Sequence, residues 1–344
     1  MKPSLIAKVN RRVKRLQKKF AQKSLILMYH RVAEKDVDPW SLCVTPEHFA
    51  QHLEAIKKHA HPISLRELAQ AHQEGKVPQG SVAITFDDGY ANNLHQAKPL
   101  LERYGVPGTV FVSSGYLNRH REFWWDELDR VLLQPGRLPE KLSLNINGST
   151  HQWELGAAVD YSEEEHQRDY ARQAWAAQPG TRLFFYHSVW QLLQPLPEQH
   201  RYQAMDEILT WAEAEPVARE THRSMFPEEV HTLEKGGVVE VGAHTVNHPL
   251  LSAHSTVLQQ DEIKQSKVDL EKLLGHPVKT FAYPYGAYTK ETVPLVEEAG
   301  FVCACSTVED TVWRESDRFE LPRFDAINWD GKEFEQRLLS WLNS

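Results

Sequence analysis

The sequence contains few cysteines, and their positions limit what they can do. Of 344 residues, three are cysteines: Cys43, Cys303 and Cys305. An odd and sparse set of this kind excludes a disulfide framework. The Cys303-x-Cys305 pair also lacks the second cysteine pair that a structural zinc site would need. We therefore expect three reduced thiols and a cytoplasmic protein.

Long apolar runs are also missing. No run approaches the ~18 consecutive apolar residues of a membrane-spanning helix, and the longest candidate, Leu25–Tyr29, has the pattern of a buried strand. No adequate apolar stretch or small-residue cleavage site follows the basic N-terminus, so no secretory signal is predicted. Hydrophobic residues make up 41% and charged residues 25% of the chain, which is typical of a globular protein.

Acidic residues outnumber basic ones, but unevenly along the chain. The net charge is −8, although residues 1–23 contain nine Lys or Arg and no acidic residue. The rest of the chain holds 30 basic against 47 acidic residues, a net charge of −17. Because nucleic acids bind to positively charged surfaces, this acidic body argues against a nucleic-acid partner.

The basic segment has the pattern of an amphipathic helix. Its apolar residues recur at three- and four-residue spacing, at Leu5, Val9, Val13, Leu16 and Phe20. Such a helix can lie on an anionic membrane surface, where each basic residue contributes about 1 kcal/mol. It can equally pack on the body of the protein or on a partner. Peripheral contact with the inner membrane through residues 1–23 therefore remains one of two interpretations.

From residue 24 onward, short apolar runs alternate with helical patterns. Strands are predicted at 25–29, 82–86, 109–112, 238–241, 278–283, 301–306 and 319–324. This alternation predicts an α/β fold with parallel strands, either a barrel or a doubly wound sheet. Residues 24–119 and 237–344 would form its two parts. Residues 120–236 are predicted to form a helical insertion, which contains Trp124, Trp125, Trp153, Trp175, Trp190 and Trp211.

Two adjacent carboxylates follow a predicted strand in the segment Thr85–Tyr90. Asp87 and Asp88 come directly after the apolar run, and Gly89 permits a sharp bend. In parallel α/β proteins, sites gather at the carboxyl ends of the strands. One carboxylate could then bind a cation while the other acts as a base. The alternative is an Asp-Gly turn in which Asp88 caps the next helix.

Two histidines, His244 and His248, follow another predicted strand at a spacing of four. With one carboxylate they would make the three-ligand set of a catalytic zinc ion. Chance pairs are expected among 18 histidines, and His48 and His52 have the same spacing. We predict that this second pair lies on a surface helix and binds no metal.

A third segment, Phe281–Gly286, passes from an apolar strand into a loop that contains proline and glycine. The loop could present a backbone N–H to a substrate oxygen, with Tyr285 as a wall. Taken alone, a Pro-Tyr-Gly sequence more often marks a turn.

Together, TFDDGY, HTxxH and YPYG in this order resemble the polysaccharide deacetylases with a NodB-homology domain, carbohydrate esterase family 4. The segment Leu27–Val32 is similar to the bacterial exopolysaccharide branch, which includes poly-β-1,6-N-acetylglucosamine deacetylases. The resemblance implies a distorted (β/α) barrel, one Zn²⁺ or another divalent metal ion, and N-deacetylation of an acetamido sugar.

The resemblance also implies roles for particular residues. Asp88, His244 and His248 would bind the metal, which would polarise the acetyl carbonyl and hold the attacking water. Asp87 would be the general base that takes the proton of that water. The metal and the backbone N–H of Tyr285 would stabilise the oxyanion.

Two departures from the family pattern matter. Many members orient the base with an arginine at the position of Ala282. Here Arg323 is the candidate replacement, although it could instead take part in a surface ion pair. Many members take the general acid from a C-terminal histidine, which this chain lacks after His276. In the exopolysaccharide branch the general acid comes from the first strand, and His30 is the residue that matches it here. The alternative is that His30 is a hydrogen-bonded core residue. Asp325 is a possible partner near Arg323.

We therefore expect a metal-dependent N-deacetylase in cell-surface polysaccharide biosynthesis. Its substrate would be an N-acetylated sugar in a polysaccharide or in a lipid- or nucleotide-linked precursor. The tryptophans of the insertion could line a saccharide groove, although a core for the insertion explains them better. The alternatives are a deformylase or O-deacetylase at the same metal site, and a catalytically weak carbohydrate-binding member.

Overall fold

The computed structural model describes residues 18, 21–34, 37–170 and 172–344. The predicted basic helix within residues 1–23 therefore lies almost entirely outside the described residues. Among the helices of the described part, none combines the length and the apolar character needed to cross a membrane.

A parallel sheet forms the centre of the molecule. Its strands β13, β12, β11, β6, β5 and β1 lie side by side in that order, while the short β4 pairs with β5 and the short β14 and β15 pair with β1. The remaining strands form three two-stranded sheets. The strands are β1 Lys23–Tyr29, β2 Arg31–Val32, β3 Cys43–Val44, β4 His61–Pro62, β5 Ser81–Phe86, β6 Gly108–Val112, β7 Gly136–Arg137, β8 Lys141–Ile146, β9 Ser149–Glu154, β10 Asp160–Tyr161, β11 Val239–Ala243, β12 Thr280–Ala282, β13 Cys303–Cys305, β14 Val312–Trp313 and β15 Phe324–Asp325.

An irregular segment, residues 318–326, connects the two edges of this sheet. On one side the Leu321 N–H donates to the Ala304 carbonyl at 2.9 Å, next to β13. On the other side the Ala326 N–H donates to the Met28 carbonyl of β1, also at 2.9 Å. The segment thereby completes a distorted barrel, which confirms the predicted α/β fold and decides against an open sheet.

Helices surround the barrel and begin at side chains that suit helix starts. Ser64 and Glu67 form a reciprocal capping box before one helix, and Gly275, at φ 78°, ends another in the left-handed region. Residues 91–104 have the composition of one α-helix but do not form one, because a π-helical turn at Asn93–Ala97 precedes the helix Lys98–Tyr104. The α-helices of the described residues are Pro46–His59, Leu65–Gln73, Lys98–Tyr104, Trp124–Leu132, Glu163–Asp169, Arg182–Leu193, Glu198–Trp211, Pro227–Glu234, Thr256–Leu274, Thr292–Glu298 and Gly331–Leu342.

The insertion has its own hydrophobic core and contains strands as well as helices. The prediction of a helical insertion is therefore incomplete, since β8 and β9 form an antiparallel hairpin in which β8 alternates between exposed and buried residues. Trp124 and Trp125 belong to this core, together with Tyr90 and Tyr116 from the barrel loops. The insertion consequently packs directly against the carboxyl ends of the barrel strands.

Buried polar contacts join the insertion to the barrel. Asp126 accepts a hydrogen bond from the Tyr90 hydroxyl at 2.6 Å and lies 4.0 Å from the Arg31 guanidinium. Arg31 is 3% exposed and also donates to the Thr221 carbonyl, so its side chain extends toward the insertion. Burial raises the pKa of Asp126 to about 7, although the charge of Arg31 opposes this.

The guanidinium of Arg182 links several loops within the insertion. This residue is 2% exposed, and it donates to four backbone carbonyls at 2.7–3.3 Å: those of Leu132, Gly136, Ala158 and Val159. One side chain thus supplies hydrogen-bond donors to carbonyls from several separate turns. Each buried acceptor left without a partner costs about 1–3 kcal/mol.

We expect Arg182→Ala to lower the free energy of unfolding by about 3 kcal/mol or more, because several buried carbonyls lose their donor. Urea unfolding measures this change. Arg137→Ala is the matched control, since Arg137 has a 63% exposed side chain and pairs with Asp160 at the surface. Its cost should stay below about 1 kcal/mol. Equal losses in the two variants would contradict the assigned role of Arg182.

Candidate metal and catalytic centre

Three side chains with metal-binding atoms meet at the carboxyl ends of neighbouring strands. Asp88 follows β5, and His244 and His248 follow β11, on the other side of β6. One potential ligand atom from each residue lies within 4.8 Å of the others. The distances from Asp88 Oδ1 are 3.5 Å to His244 Nε2 and 3.2 Å to His248 Nε2. The three residues that the sequence grouped are therefore brought together.

A hydrogen bond fixes the orientation of His244. Its Nδ1 lies 2.8 Å from the Ala282 carbonyl oxygen of β12. A carbonyl oxygen can only accept a hydrogen bond. Nδ1 is therefore the protonated nitrogen, and Nε2 keeps its lone pair toward Asp88. A carbonyl that holds the far nitrogen of a ligand histidine in this way is typical of metal centres.

Burial and mutual contacts set the charges of this cluster. Burial lowers the pKa of His248 to about 4, although the hydrogen bond to Asp88 opposes this shift. Burial acts to raise the pKa of Asp88, but the close contacts with His244 and His248 outweigh it and hold the pKa below its usual value. A neutral imidazole and an ionised carboxylate are the forms that bind a divalent cation. The donor set thus fits a metal ion such as Zn²⁺.

The neighbouring carboxylate, Asp87, is held by a buried arginine. Arg323 is fully buried, and its two terminal nitrogens donate to the two oxygens of Asp87, each at 2.7 Å. Its Nε donates to the Ser306 carbonyl at 2.8 Å. Burial acts to raise the pKa of Asp87, but the charge of Arg323 outweighs it, and the pKa lies below its usual value. Arg323 is thus not part of a surface ion pair, and it contacts Asp87 directly.

His30 and Tyr285 complete the set of predicted residues. His30 follows β1 and Tyr285 follows β12, and both line a cavity of about 330 Å³ together with Asp87 and Asp88. The Tyr285 ring lies 4.5 Å from the His248 ring. Asp325 lies near His30. Burial raises the pKa of Asp325, although the interaction with His30 opposes this shift.

The loops that carry these residues adopt unusual backbone conformations. Of the seven non-glycine residues with positive φ in the described part of the chain, four lie in this centre: Asp88, Thr245, His248 and Tyr285, at 75°, 65°, 51° and 57°. Such conformations cost about 1–3 kcal/mol each and concentrate at functional sites. Gly286 is required for a different reason, since a Cβ there would lie 2.0 Å from Thr307 Oγ1.

The cavity also contains residues that sequence reasoning missed. Trp40, Leu42 and Thr307 line it, although no local motif marks them. Trp125 and Trp190 of the insertion line it as well, whereas Trp124 is fully buried in the core of the insertion. The core interpretation is therefore confirmed for Trp124, whereas the saccharide groove stays a prediction for the tryptophans that line the cavity.

The other histidine pair serves the fold. His52 is fully buried, with Nδ1 at 3.1 Å from the Tyr29 hydroxyl and Nε2 at 2.8 Å from the Trp329 carbonyl oxygen. The expectation that both histidines lie at the surface of their helix is thus wrong for His52. His48 lies 2.7 Å from the Asn328 side chain.

Comparison with known proteins agrees with this geometry. The model of the polysaccharide deacetylase family matches residues 74–176 and 202–304, more than half of the chain. A poly-β-1,6-N-acetyl-D-glucosamine N-deacetylase of Staphylococcus aureus is 21% identical over 332 residues, which cover 90% of this chain and 83% of that protein. A putative polysaccharide deacetylase of Bacillus subtilis, YxkH, is 29% identical over 140 residues, 39% of this chain, and the match spans about half (48%) of that relative.

Solved structures share the fold at low identity. The Streptococcus pyogenes deacetylase PplD, in complex with acetate, superposes with a TM-score of 0.57 at 18% identity over 94% of this chain and 100% of its own. IcaB from Ammonifex degensii superposes with a TM-score of 0.57 at 16% identity, over 94% of this chain and 98% of its own. The chain therefore belongs to the polysaccharide deacetylase family and is a hydrolase of that family.

Proposed function

We propose that this protein is a metal-dependent N-deacetylase that hydrolyses the acetamido group of an N-acetylated sugar. One observation carries the proposal. A carboxylate held by an arginine, Asp87, and a separate set of three metal-binding side chains line or adjoin the same cavity. A base beside a Lewis-acid site is the arrangement that metal-assisted amide hydrolysis requires.

Asp88, His244 and His248 would hold the metal. A divalent ion such as Zn²⁺, when bound there, supplies Lewis-acid polarisation of the acetyl carbonyl. Burial lowers the pKa of His248 and so favours its neutral form. The Ala282 carbonyl keeps His244 in the tautomer that presents Nε2 to the ion.

Asp87 would act as the general base that removes a proton from the attacking water. Each carboxylate oxygen has two lone pairs, so the two hydrogen bonds from Arg323 leave one lone pair on each oxygen free. Arg323 fixes the plane of the carboxylate and keeps it ionised. Arg323 is accordingly a positioning residue, because the structure gives its guanidinium no place in the cavity lining.

His30 and Tyr285 would act on the leaving group and the oxyanion. His30 lies on the cavity wall across the barrel from β11, where it can deliver a proton to the departing amine. The Tyr285 backbone N–H would donate to the oxyanion that develops on the acetyl oxygen, a contact whose loss typically costs about 10²–10³ in rate.

The carbohydrate-binding alternative loses its support. An arginine missing from the position of Ala282, with no replacement, would favour that alternative. Arg323 reaches the base from the closing segment and makes the bidentate contact that such an arginine would supply. We therefore favour an active enzyme over a catalytically weak binding protein.

Acetate release measured together with bound metal tests this function. On N-acetylglucosamine oligomers, we expect acetate release to stop after chelation, which removes the metal ion. We expect the same in His244→Ala, which removes one of its three ligands. His48→Ala is the matched control, since this histidine has the same spacing to a second histidine but contacts Asn328 instead. Metal retained by His244→Ala, or metal lost by His48→Ala, would contradict the assigned ligand set.

We further propose that residues 1–23 bring the enzyme to the cytoplasmic face of the inner membrane. Their nine basic residues support this, since each contributes about 1 kcal/mol near an anionic surface. We expect the full chain to bind anionic vesicles and Lys14→Glu/Arg15→Glu to bind them at least about thirtyfold more weakly, as measured by co-sedimentation, because two lost basic residues correspond to about 2 kcal/mol. Equal binding of the two proteins, or equal binding to neutral vesicles, would refute the proposal.

A further inference from the structure

A carboxylate outside the cavity, Glu262, holds the loop between the two histidines of the metal-binding cluster. It belongs to the helix Thr256–Leu274. One of its oxygens accepts from the backbone N–H groups of Val246 and Asn247, at 2.9 and 2.8 Å, and the other accepts from the Asn247 side-chain amide at 2.8 Å. Within the described residues, no further hydrogen bond or ion pair involves this carboxylate. Its contacts therefore serve this loop alone.

The carbonyl groups of the same loop are held as well. The Val246 carbonyl accepts from the Gly115 N–H at 2.9 Å, and a Cβ at Gly115 would lie 2.8 Å from this oxygen. The Asn247 carbonyl accepts from the guanidinium of Arg201, a fully buried residue of the insertion, at 3.1 Å. All four backbone polar groups of Val246 and Asn247 thus have partners, and Glu262 supplies the acceptor for both N–H groups.

The ends of this loop have strained backbone conformations. Thr245 and His248 lie in the left-handed region, at φ 65° and 51°. Non-glycine residues keep such conformations only where the surrounding structure fixes them. The two N–H groups that Glu262 accepts lie between these strained residues. Without the carboxylate, the loop can relax toward ordinary backbone angles, and the His248 ring then turns away from Asp88.

The orientation of the Asn247 amide makes a carboxylate at position 262 necessary. Arg119 donates to Asn247 Oδ1 at 2.9 Å, so the NH₂ group of Asn247 is the end that faces Glu262. A guanidinium can only donate, and a rotated amide would therefore place donor against donor. Three N–H donors thus point at the side chain of residue 262, and an ionised carboxylate can accept from all of them.

We propose that Glu262 is a positioning residue of the metal centre, which raises the affinity for the metal ion by holding His248 in its binding orientation. It is neither a member of the metal-binding cluster nor part of the cavity lining, so it acts through Val246 and Asn247. This inference rests on the metal-binding part of the proposed function. Loss of a partner that orients a metal ligand typically weakens metal binding about 10- to 100-fold.

Titration of the metal-free full chain with Co²⁺, followed by the visible absorption of the bound ion, tests this role. Glu262→Gln has nearly the same shape, but its NH₂ group meets an N–H donor of the loop in either orientation. We expect this variant to bind Co²⁺ about 10- to 100-fold more weakly than the wild type.

A double variant provides the rescue. In Asn247→Asp/Glu262→Gln, the carboxylate and the amide change places. The amide NH₂ at position 262 can then donate to the carboxylate at position 247, its oxygen can accept from the two backbone N–H groups, and Arg119 keeps its acceptor. We expect the double variant to recover most of the lost Co²⁺ affinity. No recovery would overturn the proposal.

Glu271→Ala is the matched control. Glu271 belongs to the same helix and also accepts a backbone N–H, from Val278 at 3.0 Å, but it does not contact the metal-binding loop. Its variant should bind Co²⁺ like the wild type. Equal losses of Co²⁺ affinity in Glu271→Ala and Glu262→Gln would overturn the proposal. So would a Glu262→Gln protein that unfolds at lower urea concentration but binds Co²⁺ like the wild type, because Glu262 would then serve the fold alone.

The two proposals fail in different ways. Co²⁺ binding that depends on Glu262, without acetate release from any N-acetylated sugar, would refute the deacetylase function and leave Glu262 as a positioning residue. Acetate release that stops after chelation, together with equal Co²⁺ affinity in wild type and Glu262→Gln, would refute the positioning role and leave the function.

Discussion

The buried ion pair between Arg323 and Asp87 is the contact on which the rest of the centre depends. It joins the segment that closes the barrel to the strand that carries both carboxylates. A buried arginine without its partner costs several kcal/mol of stability, so the closing segment and the Asp87 carboxylate stabilise each other. The pair also gives the two adjacent aspartates different neighbours. Asp87 contacts the guanidinium, and Asp88 contacts His244 and His248. Two identical side chains in sequence thereby acquire different chemistry.

The insertion adds a second constraint. Its core is continuous with Tyr90 of the loop that follows Asp87 and Asp88, and Trp125 and Trp190 extend from this core to form one wall of the cavity. The barrel supplies the charged and metal-binding groups, while the insertion supplies apolar surface.

The grouping of these residues could be predicted because apolar runs in the sequence mark where the strands end. Asp87, Asp88, His244 and His248 each follow an apolar run, and parallel strands bring their carboxyl ends together. Arg323 could be named only as a candidate, because its contact with Asp87 spans 236 positions and depends on how the barrel closes. Both His30 and Arg323 also lie outside the residues matched by the family model. The cavity position of Trp40 could not be predicted, since it follows from packing between a barrel loop and the insertion. The π-helical turn at Asn93–Ala97 could not be predicted, because its residues have the composition of an ordinary helix.

The most direct test of the account compares acetate release per bound metal ion in wild type, Asp87→Asn and Arg323→Lys. We expect all three proteins to bind one equivalent of metal, because neither residue is a ligand. Asp87→Asn should lose at least about 10²-fold in kcat, since it removes the base, and Arg323→Lys should lose less, since it keeps the charge but not the bidentate contact. Unchanged turnover in Asp87→Asn at full metal occupancy would contradict the assignment of the base. Loss of metal together with activity in either variant would contradict the separation of base and metal site.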